Sequence, residues 1–284
     1  MVLITGGSRG LGLLMAREAG RQGAHVVIAA RDEAELIRGQ RDLQAEGITA
    51  SILVADVANA TQAHGMITEV IRRYGRLDVL INNAGVITVG PIDHMTVTDF
   101  EEAIGTHFWG PVCTMLAALP HMRDQGGGRI VNISSIGGKV GVPHLAPYCA
   151  SKFALTGVST SLGAELARYN IRVTTVSPGL MRTGSPFNAW FKGRHRSEFA
   201  WFAIADSLSL LSIDGRRAAS QIVRAMRHGT AELVISWPAR LAVAAEGLAP
   251  NVVAGAMTLV NRILPRPTGM LGNESHTGWQ SQSR

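Results

Sequence analysis

The first 184 residues of the chain predict a doubly wound α/β domain on a parallel sheet. Two observations carry this: short runs rich in Val and Ile alternate with longer stretches of helical periodicity, and a glycine-rich turn joins the first run to the first helix. "VLIT" from Val2, "HVVIA" from His25, "ASILVA" from Ala50, "DVLI" from Asp78, "RIVNI" from Arg129 and "IRVTTV" from Ile171 read as strands. Segments between them, such as "LGLLMAREAGRQG" and "TQAHGMITEVIRRYG", space apolar residues for one face of a helix. Strands of this composition need cover on both faces, which a parallel sheet between helix layers supplies. After Gly184 the rhythm breaks into aromatic, basic and apolar runs. It returns as a helix in "DGRRAASQIVRAMRHG", one more strand in "AELVIS" and an apolar helix pair divided by Pro250. The expected organisation is a single domain with a helical C-terminal extension: a core over 1–184, a substrate-loop and helical region over 185–264, and a polar, disordered tail over 265–284.

The 284 residues are 46 % hydrophobic and 17 % charged, ample for a two-faced core. The net charge of +6 is uneven, since residues 185–284 hold 11 Lys+Arg against 6 Asp+Glu. No zinc-finger or helix-turn-helix spacing accompanies it, and nucleic acid is not an expected partner. Cys113 and Cys149 lie far apart and read as reduced thiols, as in a cytoplasmic protein. The start shows no secretory signal; a strand beginning at Val2 leaves room for an upstream start codon. "LAVAAEGLAPNVVAGAMTLV" is interrupted by Glu246, Pro250 and Asn251, a poor spanning helix, which leaves contact with a membrane surface as the lesser reading.

In "TGGSRGLG", glycines at 6, 10 and 12 permit a tight turn, close backbone approach to a pyrophosphate and close helix packing, and the following helix start offers free N–H groups to phosphate. An NAD site usually ends its second strand in a carboxylate that binds the ribose 2′-hydroxyl; here Ala30 is followed by Arg31, and Arg9 lies in the glycine turn. Two guanidiniums suit a 2′-phosphate and favour NADP(H) over NAD(H), the alternative being that Arg31 merely pairs with Asp32 or Glu35. Tyr148 and Lys152 in "YCASK" are four apart, so a helix brings phenol and ammonium to one face.

With "NNAG" at Asn82–Gly85, "NISS" at Asn132–Ser135 and "SPGLMRT" ending at Thr183, these motifs resemble, in order and spacing, the short-chain dehydrogenase/reductase family. The resemblance covers about residues 1–184 and implies a Rossmann-type fold. It makes Ser135 the residue that hydrogen-bonds the substrate oxygen and Tyr148 the general acid or base, with Lys152 favouring phenolate and holding the nicotinamide ribose. To cofactor binding it assigns Gly6, Ser8, Arg9, Gly10, Leu11, Gly12, Arg31, Asp56, Val57, Asn83, Ala84, Gly85, Tyr148, Lys152, Pro178, Gly179 and Thr183. A homodimer or other homo-oligomer is implied too, although the extension departs from the chain ends of many tetrameric members.

The sequence also departs at His107, which replaces an asparagine that in the family holds a water of the proton relay. A histidine can hold that water and adds a titration near neutral pH, so His107 joins the catalytic candidates. Pro111 is expected to kink its helix. No histidine spacing points to a catalytic metal. The resulting expectation is an NADP(H)-dependent oxidoreductase acting on a secondary alcohol or ketone, mostly apolar, near Phe187, Trp190, Phe191 and Trp201, with Lys192, Arg194 and Arg196 on a solvated rim. The alternative is an NADP(H)-binding regulator with a weakened relay.

Overall fold

The computed structural model describes residues 1–208 and 212–282. Its centre is a seven-stranded sheet: β1 (Val2–Thr5), β2 (Val26–Ala30), β3 (Ala50–Val54), β4 (Val79–Asn82), β6 (Gly128–Ile133), β7 (Ile171–Pro178) and β11 (Glu232–Ile235). Their order is β11-β7-β6-β4-β1-β2-β3, and every pairing is parallel. The six strands read from the sequence and the late "AELVIS" strand are these seven. Chain direction across the sheet reverses between β1 and β4, which opens a crevice at their C-terminal ends.

Alternation along each strand feeds two cores. Val2 and Ile4 of β1 and Val26 and Ile28 of β2 point to helices α1 (Gly10–Arg21), α2 (Glu33–Ala45) and α9 (Gly215–His228). Leu3 and Val27 point the other way, to α3 (Ala60–Tyr74), α5 (Gly110–Asp124) and α6 (Ala146–Leu166). A strand with both faces covered must be apolar at every position, which is why these runs read as continuous.

Between α4 (Val97–Ile104) and α5 the helix does not break but widens into one π-helical turn, Gly105–Trp109. Pro111 has no N–H for the His107 carbonyl four residues back, and the turn that holds this carbonyl is the one that widens.

Beyond Pro178 the chain builds a lobe over one end of the cleft from β8 (Leu180–Arg182), α7 (Ser185–Asn188), β9 (Trp190–Phe191), α8 (His195–Ser207) and β10 (Ser212–Asp214). Phe191, Phe199 and Phe202 form its small core with Val89 of β5 (Thr88–Val89). Helices α10 (Trp237–Leu248) and α11 (Pro250–Ile263) make a hairpin after β11.

The expectation of a disordered tail is overturned for the described residues. β12 (His276–Thr277) pairs antiparallel with β9 and completes a three-stranded sheet with β5, and α12 (Gly278–Ser281) follows it. His94 fastens the same segment: its Nδ1 meets Asn273 Oδ1 at 2.8 Å and its Nε2 accepts the Thr268 N–H at 3.0 Å. Hydrogen bonds rather than apolar periodicity hold this tail, so composition alone reads it as solvated. A Cβ at Gly278 would collide with the Pro186 carbonyl oxygen and the Phe187 backbone. Gly278→Val is therefore expected to lower unfolding free energy by about 1–3 kcal/mol and to speed proteolysis of the tail, measured by urea denaturation and limited digestion.

Candidate active site

The crevice between the C-terminal ends of β1 and β4 continues into a cleft of about 460 Å³. Every residue named above for catalysis or cofactor binding lines it: the β1–α1 turn, Arg31, Asp56 and Val57, the Asn83–Gly85 turn, His107, Ser135, Tyr148, Lys152, Pro178, Gly179 and Thr183.

At the glycine turn, Gly6 has φ +62°, and a Cβ there would lie 2.8 Å from Ala84 Cα. A Cβ on Gly12 would strike the Gly6 carbonyl oxygen. Asn83 holds the two loops at this distance, its Nδ2 donating to the carbonyls of Thr5 (3.0 Å) and Gly6 (3.1 Å), while Thr5 Oγ1 accepts the N–H groups of Asn83 and Ala84. No side chain caps the start of α1 and no acidic residue lies in its first turn. A backbone cradle that side chains would fill, next to an uncapped helix start, fits a dinucleotide pyrophosphate. Asn82, one residue earlier, is structural: its amide joins Asn132 at 2.9 Å and Thr114 at 2.7 Å inside the core.

At the ribose end, Asp32 caps α2 by accepting the Glu35 N–H at 2.8 Å. Glu35 does not pair with Arg31 but with Arg9 Nη1 (2.5 Å) and the Ser8 hydroxyl (3.1 Å). Arg31 is 68 % exposed, 3.9 Å from Asp56 Oδ2. Glu35 is a lining residue that the motifs did not reveal, because its pairing with Arg9 spans 26 residues.

At the chemical end Lys152 and His107 are buried and Tyr148 is partly exposed to the cleft. Tyr148 and Lys152 lie one turn apart on α6, with Nζ 5.7 Å from the phenol ring centre. Lys152 is buried, donates to the Ile133 carbonyl at 2.8 Å, and is pushed by desolvation down to about 7. Burial pushes the Tyr148 phenol up to about 12, a rise that its bond with the Ser135 hydroxyl partly offsets. Desolvation is the largest cause acting on the phenol, and its direction is opposite to the one expected of Lys152.

His107 departs most from its expected role. Its ring is 1 % exposed and sits edge-on to the Tyr148 ring, 5.4 Å between centres. Nε2 accepts the Val86 N–H at 3.1 Å, so Nδ1 carries the proton and donates to Ser151 Oγ at 2.7 Å, which in turn donates to the Tyr148 carbonyl at 2.7 Å. Both nitrogens are thus spent inside the protein. Burial, with the nearby Lys152 ammonium, holds the ring well below the usual histidine range, so it neither titrates near neutral pH nor has an atom free for a relay water. Ser151, inside "YCASK", was the unnoticed partner.

The aromatic residues expected around the substrate are mostly lobe core. Phe191 is fully buried, Phe187 packs between Phe199 and Trp279, and Trp201 Nε1 donates to Glu198 at 2.6 Å. Lys192 is no rim cation: its ammonium is buried on Asp99 at 2.6 Å. Val86, Ile87, Met181, Ser185 and Asn188, which were not among the expected residues, line the cleft instead.

Fold and site together define a nicotinamide-dependent oxidoreductase. The short chain dehydrogenase family model matches residues 1–189, and the chain belongs to that family. A Streptomyces coelicolor protein described as a candidate ketoacyl reductase is 37 % identical over 185 residues, 64 % of this chain and 71 % of its own. The 3-ketodihydrosphingosine reductase of Bacteroides thetaiotaomicron is 38 % identical over 184 residues, 65 % of each chain, so the matches span about two thirds of these relatives. Among solved structures, a short-chain dehydrogenase of Streptomyces avermitilis superposes with TM-score 0.78 at 29 % identity over 92 % of this chain and 96 % of its own. A variant actinorhodin polyketide ketoreductase with NADPH gives 0.75 at 30 % over 82 % and 94 %.

Because His107 is buried neutral, the unfolded chain binds more protons than the folded one below pH 6.5, and stability must fall as pH drops through that range. Urea unfolding between pH 7.5 and 5 is expected to show this loss, with His107→Asn flattening the slope by at most about 1.4 kcal/mol per pH unit.

Proposed function

We propose that this protein is an NADP(H)-dependent reductase that converts an apolar ketone to a secondary alcohol. The observation that carries the reading is Ser135, Tyr148 and buried Lys152 meeting at one end of a cleft whose other end holds the glycine cradle. The nicotinamide would supply the hydride. Ser135 would orient the carbonyl oxygen, and Tyr148, protonated and desolvated, would donate the proton that the new alkoxide needs. Lys152 would hold the ribose hydroxyls, with Pro178, Gly179 and Thr183 beside the carboxamide. The exposed Arg31, with Ala30 where an NAD site puts a carboxylate, supports the phosphorylated cofactor, for which Arg9 would exchange its pairing with Glu35. The NADPH-bound ketoreductase neighbour and the two reductase relatives support the direction and the carbonyl substrate.

Tyr148→Phe is expected to cut NADPH-dependent turnover of apolar ketones by about 10²–10⁴-fold while leaving NADPH binding within about threefold, because the phenol acts in proton transfer rather than in cofactor affinity. Tight NADPH binding without Tyr148-dependent turnover on any ketone favours the regulator. Lys152 gives a second check. Desolvation pushes the Lys152 ammonium down to about 7, and a bound cofactor that favours the charged form makes NADPH binding take up more protons at pH 8 than at pH 6. Calorimetry in buffers of different ionisation enthalpy measures this uptake, and Lys152→Met should remove it.

A further inference from the structure

The hairpin of α10 and α11 carries six of the exposed large apolar side chains among the described residues. Trp237, Leu241, Ala244 and Leu248 recur at i, i+4, i+7 and i+11 on α10, and Val252, Ala256, Leu259 and Ile263 repeat that spacing on α11. All eight are exposed, the six large ones by 59 % to 88 %, so both stripes face solvent. Only Ala239 is buried on α10 and nothing on α11, and no stripe residue lines the cleft. The stripes are therefore neither core nor a lid.

The charges around them select the occupant. From Trp237 to Asn273 the chain carries Arg240, Arg262 and Arg266 against one carboxylate, Glu246. Arg240 and Arg262 stand three residues after Trp237 and Leu259, on the flank of each stripe, whereas Glu246 falls on the opposite side of α10 from Leu248. Pairing hairpins from two copies would bring cationic flanks together with no carboxylate to meet them. A helix of 14 residues is about 21 Å long against a hydrocarbon core of about 30 Å, and no helix among the described residues is long and apolar enough to cross a membrane. Apolar stripes with arginine flanks on helices too short to span suit the interface between acyl chains and anionic headgroups.

We propose that the α10–α11 hairpin docks this protein on an anionic phospholipid surface, with the two stripes at the acyl boundary and Arg240, Arg262 and Arg266 among the lipid phosphates. The test is flotation of the full-length protein with phosphatidylcholine vesicles with and without phosphatidylglycerol. Recovery with the anionic vesicles is expected to exceed that with neutral ones by about tenfold. Leu248→Glu/Val252→Glu/Leu259→Glu, all on exposed positions, should reduce it about tenfold without changing thermal stability or NADPH affinity. Arg262→Gln/Arg266→Gln should remove most of the anionic preference. The proposal is overturned if wild type floats with neither vesicle, if it floats equally with both, or if the glutamates leave flotation unchanged. It is also overturned if wild type ignores vesicles and sedimentation velocity shows the glutamates converting a dimer to a monomer.

Discussion

Everything at the site depends on how closely two backbone turns approach at the C-terminal ends of β1 and β4. Asn83 and Thr5 fix that approach with four hydrogen bonds, and Gly6 and Gly12 permit it by having no side chain. The parallel sheet supplies the geometry: two adjacent strands whose connections leave in opposite directions cannot close the space between their ends. The cleft, the free helix start and the alignment of α6 above it follow from that one gap.

The second organising effect is exclusion of water. Lys152, His107 and Tyr148 could each exchange a proton with solvent in an open site, yet burial shifts each toward its neutral form. The π turn contributes directly, because it sets His107 between Val86 and Ser151, where its ring closes the floor beneath Tyr148. Gly85 is part of the same fit, since a Cβ there would come 2.9 Å from His107 Nε2. The ring acts as a spacer and hydrogen-bond bridge, a different use of the position from holding water.

What could be read from the sequence is what is local. Strands such as "VLIT" announce themselves because both faces are covered, and the Tyr148–Lys152 pair does so because helical spacing is fixed by the backbone. The glycine turn is legible for the same reason. What could not be read depends on pairing across long separations. Lys192 looks like a rim cation until Asp99, 93 residues away, is placed on it, and Phe191 looks available to substrate until Phe199 and Phe202 enclose it. His107 stands out in the sequence as a departure, but its meaning lies in Ser151, 44 residues on, and in desolvation, which no spacing reveals. The tail is illegible in the sequence because a two-residue strand has no periodicity.

That tail has a consequence for how the protein is made. The seven central strands are complete at Ile235, so the Rossmann core can assemble while later residues are still being added. The lobe cannot, for the outer partner of β9 is supplied by His276 and Thr277, which follow both helices of the α10–α11 hairpin. Until that segment docks, one edge of β9 is an unpaired strand beside a cluster of phenylalanines. Docking of the tail, rather than folding of the core, becomes the event that completes the lobe over the cleft.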